Sequence, residues 1–125
     1  MEKTPPPETP RALIAIPTYN NAGTVRGVVE GAMATGLPIL VVDDGSTDGL
    51  SQALEGLDVE VLHHPQNQGK GAAVLTAARY AAWREFTHLI TIDADGQHDP
   101  ADALKFLEKI REHPMAIIVG ARDLS

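Results

Sequence analysis

The chain has no cysteine, and only two tyrosines, two phenylalanines and one tryptophan in 125 residues. Without cysteine there is no disulfide framework, no zinc–thiolate site and no thiol nucleophile, a pattern that fits the cytoplasm. Long apolar runs are missing too: no segment nears the ~18 consecutive apolar residues of a membrane-spanning helix. Positive charge is scarce, with ten Lys and Arg against seventeen Asp and Glu and a formal charge of −7. That leaves no basic stripe to neutralise nucleic-acid phosphates, so no nucleic-acid partner is expected.

What is present is the composition of a globular protein, 43% hydrophobic and 22% charged, with the length of one domain. Residues 1–11 are Pro-rich and polar, unlike a signal peptide or a helix, and read as a flexible lead-in. Residues 12–125 form the domain. Ala121 to Ser125 follow an apolar run with no terminating feature, so the domain is expected to continue beyond them.

Five short apolar runs recur along the chain: Ala12 to Ile16, Ile39 to Val42, Val59 to Leu62, Leu89 to Ile92, and Met115 to Val119. Helical patterns lie between them. Val25, Val28, Val29 and Ala32 recur at three-and-four spacing within Gly23 to Ala34, and Gly69 to Phe86 is rich in alanine. Leu104, Leu107 and Ile110 share a face within Asp99 to Glu112, while Thr47 to Leu57 is a shorter candidate. This alternation predicts an α/β protein with a mainly parallel sheet and helices on both faces. Such sheets bind ligands outside the carboxyl ends of their strands. Every unusual polar cluster of the chain falls at such an end.

Asp93 and Asp95 stand one residue apart where the fourth run ends. Two carboxylates so placed repel each other unless a cation lies between them, and Mg²⁺ typically takes one or two carboxylates together with substrate phosphate oxygens. Tyr19 follows the first run, where its ring could pack on a base or ribose. Asp43 and Asp44 end the second run on opposite sides of the strand, and Asp44, further out, is the candidate to meet a ligand. Gly69 and Gly71 open a helix whose amino end favours an anion, with Lys70 adding charge for a diphosphate. The spacing is not that of a P-loop. Several of these polar residues also have ordinary roles. Asn20 and Asn21 are good helix caps, as are Ser46, Thr47 and Asp48, Asp99-Pro100 suits a helix start, and His63 and His64 read as plain strand-end residues that point apart.

Taken in series, Ile16-Pro17-Thr18-Tyr19-Asn20, Val42-Asp43-Asp44-Gly45-Ser46-Thr47-Asp48, Asn67-Gln68-Gly69-Lys70-Gly71 and Asp93-Ala94-Asp95-Gly96-Gln97-His98 resemble the motifs of the family-2 glycosyltransferases. The likeness is strongest to the branch that transfers sugars to dolichyl and polyprenyl phosphates, and it spans about residues 12 to 122. It implies a Rossmann-like GT-A fold, a nucleotide-diphosphate sugar donor such as a UDP- or GDP-sugar, Mg²⁺ or Mn²⁺, and inversion at the anomeric carbon. By resemblance, Pro17, Tyr19 and Asp44 line the base and ribose pocket, with Asn21 at a position where many relatives carry an acid. Asp93 and Asp95 hold the metal and diphosphate, with Gln97 a third metal contact. Gly69 and Lys70 flank the nucleotide, and Arg122 sits by a donor or acceptor phosphate.

The implied acceptor is a lipid phosphate or a glycan. The family's acceptor half and catalytic base fall beyond residue 125, as would any region giving peripheral association with the cytoplasmic face of a membrane. A non-catalytic nucleotide-binding module of the same fold is the alternative, to be separated by sugar-transfer assays. A phospho-receiver domain would need an acid pair where this chain has Pro17-Thr18-Tyr19.

Overall fold

A computed structural model describes residues 11–95 of the chain. Within them the order is β1 (Ala12–Thr18), α1 (Ala22–Met33), β2 (Ile39–Asp43), α2 (Leu50–Ala53), β3 (Glu60–His63), α3 (Lys70–Trp83) and β4 (His88–Thr91). The predicted helix at Asp99 to Glu112 and strand at Met115 to Val119 lie outside the described residues, as does the lead-in apart from Arg11.

The four strands form one parallel sheet in the order β3-β2-β1-β4. All seven residues of β1 are buried, as expected of a strand paired on both edges and covered on both faces. Its alternation divides the core in two. Ile14 and Ile16 join Val41, Ile90 and Ile92 beneath α1 and α2, where Val25, Val28, Val29 and Ala32 fill the layer. Leu13 and Ala15 turn the other way with Leu40, Val42 and Leu89, against Ala73, Ala77 and Ala81 of α3. Those alanines recur every fourth residue and so share one face of α3. Helices therefore cover both faces, as predicted.

The connections β1–α1–β2 and β2–α2–β3 step outward under one face. α3 then carries the chain back across the other face to β4, on the far side of β1. The strand order thus reverses between β1 and β4, and a crevice at such a reversal is where open α/β sheets bind ligands.

Of the boundaries that differ from expectation, two have a clear physical reason. β1 continues through Pro17 to Thr18 and still pairs with β2. Ile14 N–H and Thr18 C=O bond toward β2, whereas Ala15 C=O accepts from Ile92 on the β4 side. Pro17 faces that same β4 side, where β1–β4 pairing has ended at Ala15 and Thr91, so its missing N–H removes no rung from the β2 ladder. α2 starts only at Leu50 because Ser46, Thr47 and Asp48 bond across to the loop after β1 and the first residue of α1 instead of starting a helix.

Candidate functional site

The reversal point opens into a cavity of about 460 Å³ at the carboxyl ends of the strands, within the usual size range of small-molecule sites. Pro17, Tyr19, Asn21, Asp44, Lys70, Asp93 and Asp95 all line it. Gly69, the residue before α3, does not line it. Gln97 and Arg122 lie outside the described residues. Asn67, Thr18, Ala73 and Ala94 also line the cavity, and none was singled out as a site residue from the sequence.

The two acids of Asp93-Ala94-Asp95 follow β4 after Ile92. Between them the carbonyl of Ala94 accepts a 2.6 Å hydrogen bond from Thr24 Oγ1, in the first turn of α1. This bond ties the acid loop to the opposite wall. Across the cavity, Lys70 Nζ pairs with Asp93 Oδ1 at 2.5 Å. Among the described residues no three His, Cys, Asp or Glu side chains gather around one metal position. Two hard carboxylates on one cavity nevertheless match the donor set Mg²⁺ takes when phosphate oxygens complete its shell. The residues present fit such an ion.

A second network forms the floor. The parallel register sets Asp43 opposite His63, and the next pair, Asp44 and His64, follows. His63 Nδ1 lies 2.8 Å from Asp43 Oδ2, and His64 Nδ1 lies 2.8 Å from Asp44 Oδ1. The two histidines do point apart, but each clasps its own aspartate. Asp44 also receives the backbone N–H of Gln68 and of Gly69, each at 2.8 Å, and Asn67 Nδ2 at 3.0 Å. Burial raises the pKa of its carboxyl, but the His64 and backbone hydrogen bonds outweigh this and hold it below the ordinary range. The Gly69 N–H is thus spent on Asp44. Gly69 itself adopts φ 100° and ψ 159°, a conformation essentially reserved for glycine.

The loops after β1 and β2 are laced together. Asn20 Oδ1 accepts from Thr47 N–H, and Asn20 N–H donates to Ser46 Oγ. Asp48 Oδ2 accepts the Ala22 N–H at the start of α1. The capping role expected of Asn21 is therefore filled from another loop. Asn21 Oδ1 instead accepts the Tyr19 N–H, which shapes the turn carrying the half-exposed tyrosine ring. Gly45 (φ +79°) lies so close under the third loop that a Cβ there would come within 2.5 Å of Asn67 N.

The profile of Glycosyl transferase family 2 matches residues 13–125. Undecaprenyl-phosphate mannosyltransferase of Micrococcus luteus is 33% identical over 120 residues, covering 90% of this chain and 48% of that protein. Polyprenol monophosphomannose synthase of Mycolicibacterium smegmatis is 36% identical over 111 residues, covering 82% of this chain and 42% of its own. The chain thus spans about half the length of these curated relatives or less. Among solved structures, mannosyl-3-phosphoglycerate synthase from Rubrobacter xylanophilus matches with a TM-score of 0.67 at 27% identity, over 83% of this chain and 37% of that one.

Proposed function

Since the chain belongs to glycosyl transferase family 2, we propose that its cavity binds the nucleotide-diphosphate sugar of an inverting sugar transfer. The observation that carries this reading is the meeting of Asp93, Asp95 and Lys70 with Tyr19 and Asp44 around one cavity at the sheet's reversal point. Tyr19, Pro17 and Asn21 form the wall for base and ribose, with Asp44 at its floor. Lys70 sits at the first position of α3, so its ammonium group and the helix amino end both favour the diphosphate. Asp93 and Asp95, with Gln97, would hold Mg²⁺ or Mn²⁺. When bound, such an ion offsets charge building on the departing nucleoside diphosphate.

A polyprenyl phosphate is the acceptor that the names of the two relatives support. Its phosphate oxygen is already anionic and can attack the anomeric carbon without a base to deprotonate it. Arg122 is the candidate for a donor or acceptor phosphate.

The test is a thermal-shift panel of UDP-, GDP- and dTDP-sugars with and without Mn²⁺. The expected result is metal-dependent stabilisation by one of them, about 2.7 kcal/mol with ligand a hundredfold above its dissociation constant. No shift with any nucleotide sugar in the presence of Mn²⁺ would overturn the reading.

A further inference from the structure

Asp44 is the most heavily bonded side chain of the cavity floor. An ionised carboxylate offers about four acceptor positions, and four donors occupy them here. His64 Nδ1 and Gln68 N–H meet Oδ1, while Asn67 Nδ2 and Gly69 N–H meet Oδ2. Three of these donors belong to residues 67–69, which lead into α3 and which Asp44 shapes. Only the fourth comes from a residue adjoining the sheet, directly after β3.

That residue, His64, is held from both sides. Its side chain is 10% exposed, and its Nε2 lies 2.8 Å from Thr76 Oγ1 on α3. Because Nδ1 faces a carboxylate that can only accept, it carries the hydrogen. The Thr76 hydroxyl can donate or accept, so Nε2 is satisfied in either form of the ring. The imidazole therefore links the ends of β2 and β3 to α3, and fixes which way the Asp44 carboxylate faces.

We infer that His64 is a positioning residue for nucleotide recognition, which holds Asp44 so that its carboxylate fixes residues 67–69 and thereby places Asn67 and Lys70 in the cavity wall. The inference rests on the donor-binding reading above. His64 itself does not line the cavity, so its effect reaches a ligand only through Asp44 and the loop.

Two substitutions separate the two ring nitrogens. The amide of asparagine reaches about as far as Nδ1, and that of glutamine about as far as Nε2. His64→Ala should weaken Mn²⁺-dependent nucleotide binding by about ten- to a hundredfold, the range that a hydrogen bond to a charged group carries. His64→Asn should recover most of that loss and His64→Gln should not, measured by calorimetry on variants whose circular dichroism matches the wild type. In parallel, amide exchange at Gln68 and Gly69 should quicken in His64→Gln and return toward wild-type protection in His64→Asn.

Equal nucleotide affinity and equal exchange in the Asn and Gln variants would overturn the inference, as would wild-type affinity in His64→Ala. If the wild-type chain binds no nucleotide, the donor-binding reading fails. The exchange comparison then still decides whether His64 sets the loop.

Discussion

Lys70 Nζ and Asp93 Oδ1 form an ion pair across the mouth of the cavity, joining the first residue of α3 to the loop after β4. The lysine side chain is 62% exposed and the aspartate 22%, so the pair itself adds little to stability, about 0–1 kcal/mol. Its consequence lies in binding. On the donor-binding reading the ammonium group and a divalent ion would be rival countercharges for Asp93, yet both would attract a diphosphate. Lys70→Met is therefore expected to move two affinities in opposite directions. Mn²⁺ alone should bind a few-fold more tightly, and nucleoside diphosphate with Mn²⁺ about tenfold more weakly, from the loss of one close charge. Calorimetric titration of each ligand checks both signs, and a parallel change in the two would refute the rivalry.

The acid loop depends on a residue far from it in sequence. Thr24 Oγ1 donates to the Ala94 carbonyl, and Thr24→Val keeps the side-chain shape while deleting the donor. The variant should lose about 1 kcal/mol of stability for one hydrogen bond. It should lose metal affinity by more than that stability change suggests, because Asp93 and Asp95 flank the freed carbonyl. Chemical denaturation and Mn²⁺ titration on the same preparation test this. Unchanged Mn²⁺ affinity in a stably folded Thr24→Val protein would count against the anchoring role.

These two contacts mark what the sequence could and could not reveal. β1, β2 and β4 are legible as continuous apolar runs because helices cover the sheet on both sides, and α1 is legible from the spacing of Val25, Val28, Val29 and Ala32. Asp93, Asp95 and Tyr19 stand out because polar residues just after apolar strands need a reason to be there, and Lys70 because it lies between two glycines at the start of a helix. Thr24 gave no such signal. Its partner is a backbone carbonyl seventy residues away, which any residue type could supply. His64 stayed hidden for a related reason, since its bond to Asp44 follows from the β2–β3 register. That register, once drawn, sets Asp43-Asp44 beside His63-His64. The adjacent pairs were the one clue available.

Gly45 gives a sharper structural test. Its φ of +79° resembles that of Gly36 at +77°, but a Cβ at Gly45 would strike the backbone of Gln66 and Asn67, whereas one at Gly36 meets nothing within 4 Å. Gly36→Ala should cost about 1–2 kcal/mol, the left-handed penalty alone. Gly45→Ala should cost about 1–3 kcal/mol beyond that, because backbone must move to admit the methyl group. It should also weaken nucleotide binding by displacing Asn67, while Gly36→Ala leaves binding intact. Urea unfolding and nucleotide titration of both variants provide the comparison. Equal stability losses would mean that the loop yields freely over position 45.

The bonding of Asp44 sets a pH dependence whose sign follows from its lowered pKa. Burial raises that pKa, but the bonds from His64, Gln68 and Gly69 prevail, so the folded carboxyl titrates below its ordinary value of 3.8. A group of this kind binds protons more readily in the unfolded chain, so acid favours unfolding. Its contribution is fully present above the ordinary value and is lost as pH falls through the lower, folded one. In Asp44→Asn the carboxylate is gone and an amide group faces N–H donors, which should cost about 2–4 kcal/mol near neutrality. The gap between wild type and Asp44→Asn should therefore hold steady from neutrality to about pH 5 for this group's part, and narrow as acid protonates Asp44. Urea unfolding at intervals down to about pH 2.5 would trace it. A gap that stays constant below the ordinary carboxylate value would show that Asp44 stabilises the loop by shape alone, without its charge.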